Sequence, residues 1–427
     1  MKKSINLSQA IALYISAILG SGVLFLSAGT ATEAGPASLL SWLIVVLFSF
    51  PLAYTFAFLS KVWPDAGGAA TFVRMAFGNH AGNLVGWFYF LTAAVGQVIV
   101  SLTGASYAGV AFGLSEWWVA GLALVILLLG GWSNHCGIRV SGKVSLILSS
   151  ILLFLIVLTI ISTIPFIRWD HFQPFLPNGW ISVGTAVIMI FWSFFGWEAI
   201  CNLADRFKDP EKDSVPSAMI SAAVIGVVFL LLSWITIGSG TYGDLNSDSA
   251  PLGLMIQRSL GLGAQWATSI LAFIICTGTV NAFIASLTQL GYALSRDRAF
   301  PSWFYHLNPK TNTPTRVVWT VVLFASSGVV LTVLRNIHFT QLLFVPNSLG
   351  IVVYIVTMGA SLKLFDKFTA PWITGLVSFL LLIVFVPFLG FHLLVPIMVG
   401  GMYMLYMSVQ KHGKGHLGER KSRDESV

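Results

Sequence analysis

Long apolar runs alternate with short polar segments along the whole chain. A helix needs about 20 mainly apolar residues to cross the hydrocarbon core of a bilayer. Such runs recur throughout, and the third and eighth are long enough that their helices would tilt. The pattern therefore predicts an all-α polytopic membrane protein with about 12 transmembrane helices. The runs cover residues 7–30, 37–60, 83–110, 117–133, 144–167, 181–204, 217–239, 264–294, 316–334, 340–362, 370–390 and 392–409.

Composition supports this prediction and excludes a soluble domain. Of the 427 residues, 56% are hydrophobic and 9% are charged, whereas soluble domains carry about 25% charged residues. Cys136, Cys201 and Cys276 lie far apart and lack the spacing of a metal or redox motif. We interpret them as small apolar packing residues, and we expect neither a metal nor a cofactor.

The distribution of basic residues predicts the orientation. Twenty of the 23 lysines and arginines fall on the side that also holds both termini, which leaves Arg168, Arg258 and Arg335 on the other. Cytoplasmic loops carry an excess of such residues, so both termini of this multi-pass plasma (inner) membrane protein are expected in the cytoplasm. The net charge of +7 is a topology signal, and no nucleic-acid partner is expected. Lys2 and Lys3 also resemble the start of a signal peptide, although the run after them is longer than a signal-peptide core.

Gly20, Ser21 and Gly22 interrupt the first apolar run. Glycine disfavours a helix interior by about 0.8–1 kcal/mol relative to alanine, and backbone groups freed within a membrane must face a cavity or protein. A second half-helix that starts here would offer free N–H groups and a partial positive charge to a carboxylate. The alternative is that Gly20 and Gly22 only allow helices to pack closely.

A second interruption, from Trp192 to Glu198, lies in the sixth run and includes Gly196. Interrupted spans at matching positions of two halves point to the substrate site of a transporter. The second set of five runs starts on the opposite side of the membrane, which predicts a 5+5 inverted repeat with helices 1 and 6 broken. The predicted segments are residues 1–167 and 181–363 for the two repeats, 370–409 for two extra C-terminal helices and 410–427 for a cytoplasmic tail.

Five short motifs stand in these runs or in the loops beside them. They are Gly20-Ser21-Gly22, Pro64-Asp65-Ala66-Gly67-Gly68, Gly196-Trp197-Glu198, Lys208-Asp209-Pro210-Glu211-Lys212-Asp213-Ser214-Val215-Pro216 and Tyr292-Ala293-Leu294-Ser295-Arg296-Asp297-Arg298-Ala299-Phe300-Pro301. Together they resemble the motifs of the amino acid–polyamine–organocation (APC) superfamily, although Arg298 stands where that family has a glycine. With its short loops and residues 191–198, the chain is most similar to the bacterial subgroup of methionine and branched-chain amino acid exporters.

The resemblance implies a secondary active transporter of amino acids that works by alternating access. It places the substrate carboxylate on Ser21 and Gly22. It places the substrate ammonium on the carbonyl oxygens of Ile18, Trp192 and Phe195. Both placements suit the chemistry of a broken helix, which frees N–H groups on one side of the break and carbonyl groups on the other.

Gating and ion coupling are expected close to the breaks. By resemblance, Gly20 and Gly196 form the breaks, and the Trp192 ring closes over bound substrate. An intramembrane carboxylate is by default a functional group, so Glu198 is a candidate for proton coupling, or else it caps freed backbone N–H groups. Lys143, ahead of the fifth run, resembles a lysine of sodium-independent relatives and is the other candidate. Alternatively, Lys143 is one more positive charge of a cytoplasmic loop.

Two further side chains are expected in the pocket by resemblance. Gln97 falls where the family has a polar pocket residue, and Phe283 where it has an aromatic one. The alternatives are an interhelical hydrogen bond for Gln97 and ordinary packing for Phe283. Asn281 suits either a pocket or a packing role.

Among Ile18, Phe195 and Phe283 there is no acid or base to meet a charged substrate side chain. Burial of an unpaired charge is costly, so we expect neutral, hydrophobic L-amino acids such as methionine or the branched-chain ones. The alternatives are a cationic amino acid or polyamine antiporter of the same superfamily and, from a different class, a membrane-embedded enzyme. The sequence has no H-E-x-x-H or Walker A motif and no G-x-S-x-G motif with a plausible triad. Membrane lipids, protons and a second copy in a homodimer are the other expected partners.

The orientation can be tested with a cysteine in the C-terminal tail. We expect a Ser422→Cys variant to stay unmodified in intact cells treated with a membrane-impermeant thiol reagent, because the tail is cytoplasmic. The cysteine should react once the cells are permeabilised. Modification in intact cells would contradict the predicted orientation.

Overall fold

The computed structural model of the chain describes residues 5–64, 68–137, 142–201, 207–311 and 313–424. In these ranges the regular structure is helical, apart from one isolated bridge between Ile5 and Phe207. The α-helices are α1 (Leu7–Leu19), α2 (Leu26–Ala34), α3 (Ser38–Val62), α4 (Gly68–Phe77), α5 (Asn79–Phe112), α6 (Glu116–His135), α7 (Gly142–Thr163), α8 (Gly179–Phe194), α9 (Trp197–Cys201), α10 (Pro210–Gly238), α11 (Leu245–Ser249), α12 (Pro251–Leu260), α13 (Leu262–Arg296), α14 (Thr315–Leu334), α15 (Phe344–Leu364), α16 (Ala370–Phe385) and α17 (Leu394–Asp424).

The helices have the length and composition of membrane spans. Within the described ranges, eight helical stretches are long and apolar enough to cross a bilayer. One of them, Ala370–Val409, bends at Gly390, where the backbone leaves the helical conformation with φ of 53°. Three shorter apolar helices, Leu7–Leu19, Ser150–Phe166 and Gly179–Phe194, accompany them. The prediction of an all-α polytopic membrane protein is confirmed, while the number of twelve spans stays a prediction.

The longest helices, α5 and α13, pack against each other at the centre of one half of the bundle. A Cβ atom added at Gly104 of α5 would lie 2.6 Å from Cβ of Cys276 on α13, so this crossing depends on a missing side chain. Small residues at helix crossings are typical of membrane bundles, because close backbone approach replaces the hydrophobic driving force that lipid removes. The position of α5 matters for the site, because it also contacts α15 and α4.

A second group of helices surrounds α1 and α8. Helix α3 packs against α10, α8 and α16, and α1 packs against α10 and α9. The indole ring of Trp42 stacks on Phe229 with a centroid distance of 4.7 Å, and its Nε1 donates to Thr30 Oγ1 at 3.0 Å. One aromatic residue of α3 therefore connects α10 with α2, the helix that follows the first interruption.

Polar contacts join several loops and short helices to the C-terminal end of α2, a region that we call the α2 end. Thr32 Oγ1 donates to Asp248 Oδ1 at 2.6 Å, and Asn178 Nδ2 donates to the Glu33 carbonyl at 2.7 Å. The His338 ring bonds the Thr340 hydroxyl at 2.7 Å. Burial lowers the pKa of His338, against the opposing effect of Asp248, so its neutral form is favoured. The connections before α8 and before α12 are thereby joined to α2.

The opposite end, which we call the α4 end, is held by the short helix α4. Arg74 of α4 forms an ion pair with Asp297, with 3.5 Å between Nη2 and Oδ2. Lys363 of α15 donates through Nζ to the carbonyl oxygen of Ala76 at 2.7 Å, close to the C-terminus of α4 where a positive charge is favourable. Helix α4 therefore ties α13 to α15 at this end of the bundle.

Candidate functional site

The first interruption separates α1 from α2. Helix α1 ends at Leu19, Gly20 takes φ of +27°, and a single 3₁₀ turn, Gly22–Leu24, precedes the start of α2 at Leu26. Positive φ is strained for any residue with a Cβ atom, so Gly20 allows the chain to leave the helix here. Ser21 and Gly22 are buried inside the protein. The polar backbone of this interruption therefore faces the bundle interior.

The second interruption separates α8 from α9. Helix α8 ends at Phe194, Phe195 is extended with φ of −74° and ψ of 121°, and Gly196 has φ of +153°. Helix α9 begins at Trp197, so Glu198 lies in its first turn. The chain thus passes from one short helix to the next through two non-helical residues.

The two interruptions lie in contact with each other. A Cβ atom at Gly22 would lie 1.8 Å from Ser193 Oγ, and a Cβ atom at Gly196 would lie 3.0 Å from Cγ1 of Ile18. Each glycine leaves space that the opposite broken helix fills. Tertiary packing therefore brings together predicted site residues that are more than 170 positions apart in the sequence.

A buried carboxylate holds the second interruption together. Glu198 is 4% exposed, and its Oε2 accepts a hydrogen bond from the backbone N–H of Gly196 at 3.1 Å. The Tyr354 hydroxyl of α15 also donates to Oε2, and Tyr89 of α5 lies close to the same carboxylate. Hydrogen bonds to a carboxylate are stronger than those between neutral groups. Glu198 therefore places the second interruption in contact with α5 and α15, which are distant from it in the sequence.

Two other side chains bond backbone carbonyl groups close to the interruptions. The Tyr107 hydroxyl of α5 donates to the carbonyl oxygen of Leu24 at 2.6 Å. Asn347 of α15 donates through Nδ2 to the carbonyl oxygen of Ile188 in α8 at 2.6 Å. Unsatisfied backbone groups are expensive away from water, so the Tyr107 bond stabilises the irregular turn at Leu24 and ties the first interruption to α5. Ile188 lies inside α8, so the Asn347 bond ties that helix to α15.

Trp192 and Gln97 meet where α8 approaches α5. The Trp192 ring lies over Gly96, whose added Cβ would be 2.7 Å from ring atom Cη2. Gln97, the next residue, is fully buried and donates through Nε2 to Ala93 of its own helix at 3.2 Å. Its Oε1 has no hydrogen-bond partner among the described residues. Within the described part of the chain, Gln97 therefore makes no hydrogen bond to another helix. Its side-chain oxygen is a buried acceptor without a partner.

The aromatic candidates occupy different surroundings. The Phe195 ring packs on Gly350 of α15 and forms an edge contact with Tyr354 at a centroid distance of 5.3 Å. Phe283 is half-buried on α13 and packs against the apolar core. Asn281 accepts a hydrogen bond from Asn134 of α6 at 2.9 Å, so the structure assigns it a packing role.

Lys143, the other coupling candidate, lies in the first turn of α7. Its side chain is outside the part of the chain that the structure describes. Among described side chains, histidine, cysteine and carboxylates form no cluster that could hold a metal ion.

Sequence reasoning missed four polar residues that support the site. Tyr354 and Asn347 come from α15, and Tyr89 and Tyr107 from α5. A signal was available, because each is a polar group inside an apolar run and such groups usually bond across helices. The partner of each could not be read from the sequence, since the partners lie on other helices.

The sequence is similar to those of known transport proteins. The sequence matches the amino acid permease family over residues 5–408. It is 35% identical to YecA, an uncharacterized amino acid permease of Bacillus subtilis (strain 168), over 412 residues that cover 96% of each chain. It is 26% identical to the L-methionine/branched-chain amino acid exporter YjeH of Escherichia coli (strain K12), over 95% of this chain and 96% of that one. The putrescine transporter PotE of the same strain is 24% identical over 80% of each chain.

Because Gly22 and Ser193 are in contact, we expect a substitution at Ser193 to restore stability that is lost by a substitution at Gly22. Gly22→Ala should lower the melting temperature of the purified protein in detergent, because overpacking costs about 1–3 kcal/mol. Ser193→Ala removes the colliding oxygen, so the double variant should recover most of that loss. Gly121→Ala is the matched control, since an added Cβ there would have no described atom within 4 Å. A double variant no more stable than Gly22→Ala would show that the two residues are not coupled.

Proposed function

Because the chain belongs to the amino acid permease family of the amino acid–polyamine–organocation superfamily, it is a multi-pass membrane transporter and not an enzyme, and we propose that it carries neutral, hydrophobic L-amino acids by alternating access. The observation that carries the proposal is the contact between the two interruptions, at Gly22 with Ser193 and at Gly196 with Ile18. A zwitterion needs both a donor-rich and an acceptor-rich backbone, and two broken helices that meet supply both.

The substrate backbone is proposed to bind between the broken helices. Its carboxylate would take the N–H groups around Ser21 and Gly22, and its ammonium the carbonyl groups of Ile18, Trp192 and Phe195. The Trp192 ring, which lies over Gly96 of α5, is proposed to cover bound substrate. An indole is suited to this task because it covers a large area with few rotatable bonds.

The proposal of a neutral substrate rests on the hydrogen bonds of Glu198, the one carboxylate that is buried among the described residues. Glu198 already accepts bonds from Gly196 and Tyr354, so it is not a free counter-ion for a cationic side chain. Ile18 and Phe283 present apolar surface, and Gln97 presents an uncharged amide. The name of YjeH, a methionine and branched-chain amino acid exporter, agrees with such a pocket.

The architecture proposed is the 5+5 inverted repeat with helices 1 and 6 broken. Residues 1–167 and 181–363 would form the repeats, with residues 370–409 outside them. The α4 end would face the cytoplasm of the plasma membrane together with both termini, because it carries Arg74 and Lys363 and the positive loops. In this orientation the α4 end and the α2 end are the two gates of an alternating-access cycle.

Proton coupling is proposed at Glu198, with Lys143 as the other candidate. Glu198 lies at the break itself, accepts a hydrogen bond from Tyr354 of α15 and lies close to Tyr89 of α5. Gain or loss of its proton would change those contacts and thus the fit of α9 against its neighbours. The alternative, a capping role alone, needs no proton transfer.

Substrate class can be tested by competition in proteoliposomes. Methionine, leucine, isoleucine and valine should compete with labelled leucine far better than arginine or putrescine. Leucine should bind about 2 kcal/mol more tightly than alanine, or roughly 30-fold, because each buried CH₂ contributes about 0.8 kcal/mol.

Counterflow in the same vesicles provides the control, because only a carrier exchanges labelled for unlabelled substrate across a sealed membrane. If arginine or putrescine were the best competitor, the neutral pocket would be wrong and the cationic alternative would replace it.

The proton role of Glu198 can be separated from its capping role. Glu198→Gln keeps an oxygen that accepts hydrogen bonds but cannot ionise. We therefore expect this variant to bind substrate and to lose the pH dependence of counterflow. The measurement is the exchange rate across a series of pH values, with equal pH on both sides of the membrane.

Tyr354→Phe is the matched control, because it removes a donor and leaves the carboxylate in place. It should shift the pH profile without abolishing it. A wild-type profile in Glu198→Gln would leave only the capping role, and Lys143 would become the coupling residue to test.

A further inference from the structure

Ser193 has a buried hydroxyl group at the point where the two broken helices touch. The residue is 2% exposed, and its Oγ lies 1.8 Å from the position that a Cβ atom of Gly22 would take. The hydroxyl oxygen thus occupies the place of a side chain on the first broken helix. Ser193 lies within the second interruption, and no pattern in the sequence indicates a role for it.

The Ser193 hydroxyl has no hydrogen-bond partner among the described residues. Serine and threonine in apolar helices usually bond a carbonyl of their own helix. Thr92 and Thr103 of α5 do so, with distances of 2.8 Å to the carbonyl oxygens of Phe88 and Ile99. A buried hydroxyl without a partner costs about 1–3 kcal/mol. Six other buried hydroxyls among the described residues also lack a partner. What points to a ligand at Ser193 is its position against Gly22, where the two broken helices touch.

We propose that the Ser193 hydroxyl donates a hydrogen bond to the carboxylate of the substrate. The proposal rests on the proposed function, which brings an amino acid to this contact. Ser193 Oγ faces Gly22, the first residue of the turn that leads into α2. The hydroxyl therefore adds a side-chain donor from the second broken helix to the backbone donors of the first.

The competing explanation is that Ser193 only fills space beside Gly22. An oxygen can rest against a Cα–H group with a small gain, and a serine is small enough for the contact. Under this explanation removal of the hydroxyl would alter stability but not the preference for a carboxylate. The two explanations therefore differ in substrate selectivity.

The test compares three ligands on wild-type protein, Ser193→Ala and Ser378→Ala in proteoliposomes. The ligands are leucine, leucinol, which has an alcohol in place of the carboxylate, and 4-methylpentanoate, which lacks the amine. Inhibition constants are measured against labelled leucine, together with KM and the maximal exchange rate. Ser378 of α16 is the matched control, because its hydroxyl is also fully buried and without a partner in the described part of the chain.

In Ser193→Ala, the KM for leucine and the inhibition constant of 4-methylpentanoate should both rise about 10-fold, because a bond to a charged group is lost. The inhibition constant of leucinol should stay within about 2-fold of wild type. The preference for leucine over leucinol would then fall about 10-fold, and Ser378→Ala would leave it unchanged.

Equal weakening of leucine and leucinol in Ser193→Ala would overturn the assignment to the carboxylate. Unchanged constants for all three ligands would overturn any role in binding and leave the packing explanation. Absence of leucine counterflow in the wild-type protein is a separate result, because it would overturn the proposed function itself.

Discussion

Backbone groups that leave a helix inside a membrane protein need partners, and this requirement shapes the centre of the structure. Apolar surroundings offer no water to bond a freed N–H or carbonyl group. Here the carboxylate of Glu198 accepts from Gly196, and the hydroxyl of Tyr107 donates to Leu24. The interruptions therefore depend on polar side chains, one of which, Glu198, lies at the break itself while the other, Tyr107, comes from α5.

The helices that deliver those partners also support the site. Helix α5 contributes Tyr89 and Tyr107, and α15 contributes Tyr354 and Asn347. The same two helices carry Gly96 and Gly350, which accept the rings of Trp192 and Phe195. Because α5 and α15 satisfy the broken backbone and hold its aromatic side chains, a shift of the broken helices relative to them would change polar and apolar contacts together.

The contact between the broken helices affects how substitutions at Gly22 and Ser193 must be interpreted. A side chain larger than hydrogen at Gly22 would displace Ser193 as well as block a ligand. Loss of transport after a large substitution at Gly22 would therefore have two explanations. Substitutions that remove atoms, such as a change of Ser193, separate packing from binding more cleanly, since they create no collision.

Much of the local structure could be predicted from the sequence. The apolar runs predict the helices because a span has to satisfy its own backbone, and the glycines at positions 20 and 196 stand where the chain leaves helical geometry. The site was predictable only in its two glycine-containing segments. Its supporting residues were not, since Tyr354 is a single polar residue in an apolar helix and the sequence contains no information on which carboxylate it faces. The carbonyl oxygen of Phe195 is predicted to face the substrate ammonium, while the packing of its ring on Gly350 of α15 is indicated by no pattern in the sequence.

The sequence by itself determined the class of protein, the helices, the two interruptions and the resemblance to amino acid transporters. These properties depend on composition, on periodicity and on short motifs, all of which are local along the chain. Only the tertiary structure decided that Gly22 meets Ser193, that Gly196 meets Ile18 and that Tyr354 donates a hydrogen bond to Glu198. Such pairings depend on how separate helices rotate and cross. In a membrane bundle, the rotation and crossing of the helices are decided by close packing and hydrogen bonds between helices rather than by any pattern within one helix.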